Sequence, residues 1–240
     1  MKYGLIIALA TLILMGSCRR TTTSNQANSN QQTEKKEVRK QNIIRKRLPV
    51  PFDFSYITNL GCVDIIYTQG NYNMEVEGDS VTLNYLITDY DSNVLTINLE
   101  LDNNLDLNLY GNTQNVKMYL SAPELKCVSV CSSGSFESQA TWRAEDIQLG
   151  VLSTGSMNIG RVECTTFNLQ SSDIGDITLS DLQAEDASIY SCSSANINAN
   201  INVKNLIVIN EGKQKIKLTG KAQMVRFKNP NDPNLTNELK

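Results

Sequence analysis

The 240-residue chain contains no histidine. That absence excludes histidine-based catalytic triads, imidazole-ligated zinc and imidazole switching near neutral pH. Its six cysteines include no CxxC pair, so a soft-metal centre lacks its usual ligand spacing. No phosphate loop, dinucleotide fingerprint or nucleophile signature occurs, and the Gly-Gly-x-Gly-x-Asp calcium repeat is missing. Past Leu48 no helical periodicity is sustained over three turns. What is present, 40% hydrophobic and 20% charged residues, suits one globular domain of moderate size or two small ones.

The net charge of −3 conceals a split. Residues 19 to 47 are basic, net +7, with Lys35, Lys36, Arg39, Lys40, Arg45, Lys46 and Arg47 close together. The rest of the chain from residue 48 is acidic, about −11. A nucleic-acid-binding domain would carry the opposite sign over its folded part, so no nucleic-acid partner is expected. The basic stretch reads as a solvated linker that could touch an anionic membrane surface at roughly 1 kcal/mol per charge.

Lys2 precedes an apolar run from Leu5 to Met15, too short for a membrane span and suited to a signal h-region over residues 1–17. The run ends in Met15-Gly16-Ser17-Cys18, which resembles the lipobox of bacterial lipoproteins. The resemblance implies that Cys18 is acylated and becomes the new N-terminus, anchoring the protein to membrane at about 0.8 kcal/mol per buried methylene. Methionine at the first lipobox position, where leucine is commoner, is a mild departure. Arg19 and Arg20 follow the cysteine where surface-exported lipoproteins carry acidic residues, favouring the periplasmic face of the outer membrane over the cell surface. The polar run onward to Thr33 cannot bury a core, so residues 18–44 are expected to be a lipidated, flexible, basic tether. The domain should then occupy 45–228, with a polar C-terminal tail over 229–240.

Short β-type runs bounded by turn residues fill the first half of the domain. Phe52 and Phe54 alternate, followed by Val63 to Tyr67, Met74 to Glu77, Val81 to Thr88, Val94 to Leu101 and Val116 to Leu120. Gln69-Gly70-Asn71, Glu77-Gly78-Asp79 and Asp91-Ser92-Asn93 read as the turns between them.

The second half repeats. Leu125, Ile147, Phe167, Ala187 and Leu206 recur every 19 to 22 residues, followed two positions later by Cys127, Leu149, Leu169, Ile189 and Val208. A second column holds Trp142, Val162, Leu182 and Ile201, with Ala144, Cys164, Ala184 and Val203 two residues on. A third holds Phe136, Met157, Ile177, Ile197 and Ile216, each after a small or turn pair such as Gly155-Ser156 or Gly175-Asp176. Three alternating strands per repeat describe a stackable coil, since stacking pairs the backbone that one coil leaves unpaired. The expected fold is all-β, a right-handed parallel β-helix with coils of about 20 residues. The row Asn196, Asn198, Asn200 and Asn202 reads as a polar outer face, and the glycines as tight turns between strands.

Val50-Pro51-Phe52-Asp53-Phe54, Tyr67-Thr68-Gln69-Gly70, Met74-Glu75-Val76-Glu77-Gly78-Asp79 and Leu95-Thr96-Ile97, followed by Ser-Gly-Ser type repeats, resemble the head GIN domain family of auto-transporter adhesins. The resemblance covers about residues 45 to 228 and implies a β-helix in an exported or lipid-anchored protein of Gram-negative bacteria. It implies no cofactor and no established biochemical role. The later repeats, Ala195-Asn196 and Gln214-Lys215, depart from the family's Ser-Gly-Ser-Gly-Asp pattern.

With Cys18 lipidated, five cysteines remain, and their columns and spacing argue for buried free thiols. For catalysis only carboxylates are left: Asp173, Asp176 and Asp181, with Glu185 and Asp186 of the same coil. Paired carboxylates could cleave an acidic polysaccharide; solvated turn residues are the plainer reading. The sequence therefore points to a cell-envelope lipoprotein with a non-catalytic binding or adhesion module for glycans or envelope proteins. A carbohydrate-active β-helix enzyme is the alternative.

Overall fold

The computed structural model describes residues 42–51, 53–99, 116–192 and 194–240. Residues 1–17, Cys18, the tether to residue 41, Phe52 and residues 100–115 lie outside the described set. Among the described residues there is no α-helix, and the strands form stacked, mostly parallel coils of about 20 residues. The fold is an all-β solenoid.

The repeat columns become ladders. In the third column Phe136, Met157, Ile177, Ile197 and Ile216 stand in register, all buried. Ile65 extends that ladder at one end and Leu235 at the other. In the second, Trp142, Val162, Leu182 and Ile201 stack and end over Gly220, whose φ of +103° an L side chain rarely adopts. Such ladders hold the fold because each coil buries its apolar face only against its neighbours.

The first column differs from expectation by one residue at its start. Leu149 stands over Val128, which is fully buried, while Cys127 pairs with Gln148 on the other face. A one-residue slip exchanges the two faces of a strand. The stretch from Leu125 to Val128 crosses a corner, where alternation is interrupted, so Cys127 is half-buried rather than a core residue.

The N-terminal strands enter this stack out of chain order. Strand β2 (Tyr56–Asn59) lies between β6 (Val94–Leu99) and β8 (Cys127–Val130), parallel to both. Strand β3 (Val63–Gln69) lies in the same way between β7 (Val116–Ala122) and β9 (Ser135–Ser138). The earliest coil is thus inserted between two later ones. Antiparallel strands close this end: β5 (Leu86–Asp91) on β6, β4 (Asn73–Asp79) on β7, and β1 (Ile43–Arg47) on β4.

Two expectations in this region change and one holds. Val81 to Thr88 is not one strand: Thr82–Tyr85 is a 3-10 turn ahead of β5. The Asp79 carboxylate accepts the backbone N–H of Val81 and Thr82, a local bond that starts a helical turn. Glu77-Gly78-Asp79 belongs to β4, with Gly78 opposite Ile44. A Cβ there would lie 3.3 Å from both Leu83 and Val116, so packing accounts for that glycine. Asp91-Ser92-Asn93 is the expected turn, with Ser92 and Asn93 at positive φ as a tight hairpin requires.

At the C-terminal end β14 (Ile177–Ser191), β15 (Ile197–Asn210) and β16 (Ile216–Phe227) each run continuously through a bend, merging strands read separately in the sequence. The segment 229–240, expected as a tail, carries β17 (Leu235–Leu239), parallel to β16. Leu235 and Leu239 pack on the core, which a count of polar residues conceals. β1 likewise starts inside the stretch assigned to the tether.

The glycine row also differs from its reading. Gly134, Gly155 and Gly175 are not at positive φ, so turning does not require them. A Cβ on Gly155 would lie 2.4 Å from the Gly134 carbonyl oxygen, and one on Gly175 only 1.4 Å from that of Gly155. Close approach of one coil to the next excludes the side chain.

Candidate functional site

Where β14, β15 and β16 bend, their outer faces form an open groove along the solenoid with a cavity volume of about 620 Å³. The floor is small and apolar: Cys164, then Ala184, Val203 and Ala222 in register. One wall is the ladder Glu163, Gln183, Asn202 and Lys221, and the other holds Glu185, Lys204 and Gln223, with Lys240 at the end. Small floor residues are what make the bend concave, since a larger side chain at Ala184 or Ala222 would fill it.

Charge is graded along the groove. Glu163 accepts bonds from the Nε of Arg143 and of Arg161, both at 2.8 Å, and these arginines hold its carboxyl below the usual carboxylate range. Arg161 also reaches Asp181 at 3.4 Å. On the other wall Lys204 pairs with Glu185 at 2.6 Å. Lys221 and Lys240 have no ion-pair partner among the described residues, so the C-terminal end is the more positive. At the floor, burial and Asp146 push the Cys164 thiol up to about 12, so it is a protonated, inert part of the surface.

The carboxylates grouped in the sequence separate. Asp176 accepts the backbone and side-chain N–H of Asn196 at a corner. At the same corner the backbone carbonyl of Asp173 accepts the Ser194 N–H, and neither aspartate lines the groove. Asp181 joins the arginine network, Glu185 the groove wall, and Asp186 bonds Asn205. Coil corners and strand faces point these residues apart even though they are close in sequence. The five described cysteines are free thiols: Cys62 and Cys192 are exposed, and Cys127, Cys131 and Cys164 half-buried, so none is the fully buried thiol expected. No group of three or more acidic or cysteine ligands among the described residues is placed to hold a metal ion.

Sequence reading missed the groove and an aromatic cluster in the core. The asparagine row, Asn196, Asn198, Asn200 and Asn202, is exposed as expected, and Asn202 also lines the groove. Tyr67, Phe136 and Trp142 meet in the core with ring centroids 5.4 to 6.1 Å apart, tying the inserted coil to its neighbour. The Trp142 Nε1–H donates to the Leu125 carbonyl at 2.8 Å, and the Tyr67 hydroxyl to that of Ala122 at 3.2 Å. The Gln69 carboxamide makes three bonds, to Pro123 and to both backbone groups of Arg143, where a strand pair would otherwise gap.

Fold and groove together define a mostly parallel β-solenoid with a shallow, polar-walled groove along its length. Residues 53–182 match the family described as "Putative auto-transporter adhesin, head GIN domain". The chain belongs to that family. It is similar in structure to a "putative adhesin" from Bacteroides fragilis, with a TM-score of 0.62 at 16% identity, covering 78% of this chain and 93% of that one. It is also similar to a "putative lipid binding protein" from Parabacteroides distasonis, with a TM-score of 0.51 at 15% identity, covering 78% and 92%. At such identities the likeness shows the fold. No curated protein matches the chain. The family's name is that of an adhesin and suggests a protein of the cell envelope or surface. Among the described residues no helix is long and apolar enough to cross a membrane.

Proposed function

We propose that the protein is a cell-envelope lipoprotein, acylated at Cys18, whose solenoid is a non-catalytic binding or adhesion module for an extended polar partner, a glycan or another envelope protein. The observation that carries this reading is the groove: polar side chains at equivalent positions on successive coils, about 4.8 Å apart, over a small apolar floor. Gln183, Asn202 and Gln223 offer both donors and acceptors along it, which suits a repeating chain of hydroxyls or peptide groups. A shallow face of this kind collects many weak contacts rather than one deep pocket. Affinity then grows through display of many tethered copies on one membrane.

The test is a glycan array and an envelope pull-down with the purified chain, alongside Gln183→Ala/Asn202→Ala. Micromolar or weaker binding, strengthened by multivalent display and weakened at least fivefold in the double variant, is expected. Hydrolase or lyase products that vanish in Asp173→Asn or Asp176→Asn would replace the binding reading with an enzyme. For the anchor, Cys18→Ser should release the protein from the membrane fraction or leave the precursor uncut. Unchanged fractionation with an unmodified mature mass would refute acylation.

A further inference from the structure

Among the described residues one continuous sheet follows the coils and ends in two edges without a partner strand. Its rows can be followed strand by strand: Asp91, Val94, Tyr56, Cys127 and Gln148 at one end, then Asn168, Ser188, Ile207 and Arg226 at the other. At the N-terminal end β5 pairs only with β6, so its outer edge has no partner among the described residues. At the C-terminal end β17 covers β16 only from Ile216 to Gly220, and the edge from Lys221 to Phe227 has no partner strand among the described residues. Exposed edges of this length template further pairing, and soluble proteins usually blunt them. Neither edge carries a proline.

The two edges complement each other on both faces. On the core side of β16, Val225 and Phe227 continue the buried column above Leu206 and Val208, yet nothing described covers them, and Val225 is 38% exposed. On the core side of β5, Tyr90 and Thr88 lie opposite the buried Leu95 and Ile97, and Tyr90 is 36% exposed. On the outer side β16 presents Met224, 65% exposed, and Arg226, while β5 presents Asp89 and Asp91. Arg226, Asp89 and Asp91 have no ion-pair partner among the described residues.

We propose that the free edge of β16 takes the free edge of β5 from a second copy of this chain, so that copies associate head to tail. With both copies pointing the same way along the sheet, β5 runs antiparallel to β16. Tyr90 then meets Val225 or Phe227, and the aspartates meet Arg226. Pairing two β16 edges would instead bring Arg226 and Lys221 of each copy together, so charge favours the unlike edges. Such a contact is heterologous and does not close on itself, so it yields open chains of molecules rather than a symmetric dimer.

Sedimentation velocity of the purified full chain over a hundredfold concentration range tests this, with charge-swapped variants. The wild type should grow beyond dimer as concentration rises. Arg226→Asp alone and Asp89→Lys/Asp91→Lys alone should each shift the association midpoint at least tenfold upward, with circular dichroism and melting unchanged because all three positions are exposed. Combining the three substitutions in one chain should restore association. A wild type that stays monomeric, a dimer that does not grow, single-edge variants that associate like the wild type, or a combined variant that fails to regain association would each overturn the proposal. None of these readouts involves the groove or its ligand.

Discussion

Replacing Gly175 by alanine puts the packing of coils to a direct test. The added Cβ would fall 1.4 Å from the Gly155 carbonyl oxygen and 2.8 Å from a Val151 methyl. Real Cβ contacts essentially never fall below 3.0 Å, so two backbones must separate by about 1.6 Å, about a third of the rise between coils. That displacement breaks good hydrogen-bond geometry locally and lifts the Met157–Ile177 rung beside it. Overpacking costs about 1–3 kcal/mol and occasionally more; a clash with backbone rather than a flexible side chain belongs at the upper end, about 3 kcal/mol. For a domain of this size that corresponds to a fall in Tm of roughly 6–12 °C. Ala195 fills the same place one coil further on, so the constraint holds for Gly134, Gly155 and Gly175 and stops there. Gly70→Ala is the control. Nothing lies within 4 Å of its added Cβ and its φ is not positive, so stability should hold or rise by about 0.4–1 kcal/mol. Thermal melts followed by circular dichroism decide; Gly175→Ala melting with Gly70→Ala and the wild type would refute the stacking argument.

Trp142→Phe should cost about 2–3 kcal/mol in urea denaturation, because the Leu125 carbonyl is left buried without its donor and the aromatic cluster loses volume; an unchanged midpoint would count against that bond. Timed alkylation with iodoacetamide near pH 8 should label the exposed Cys62 and Cys192 first and Cys164 last, since burial raises that thiol to about 12. Mass mapping that finds Cys164 among the first would contradict the groove floor. Glu163 titrates below its ordinary value in the fold, so its contribution is full above the unfolded glutamate range and is lost as pH falls through the lowered value. Tm measured from about pH 6 to pH 3 should therefore fall less steeply in Glu163→Gln than in the wild type, and parallel curves would refute the arginine clamp.

The sequence alone determined the class of fold, because a solenoid writes its period into the chain. Met157, Ile177, Ile197 and Ile216 recur at the coil length, and each rung needs an apolar residue where its neighbours have one. Where a coil turns a corner that regularity lapses. Leu125 kept the period and Val128 kept the face, and only the three-dimensional register shows which of them starts the column. The groove was illegible for a related reason: Ala184 and Ala222 look like weak core positions, and only the bend between strands shows that their small side chains leave a hollow. The tertiary structure also decided the insertion of β2 and β3 between later coils, since pairing of Ile65 with Phe136 depends on shape and not on spacing. It decided as well that, among the described residues, β17 pairs with only the first part of β16 and leaves the edge at Val225 and Phe227 without a strand, because pairing depends on where the chain turns back.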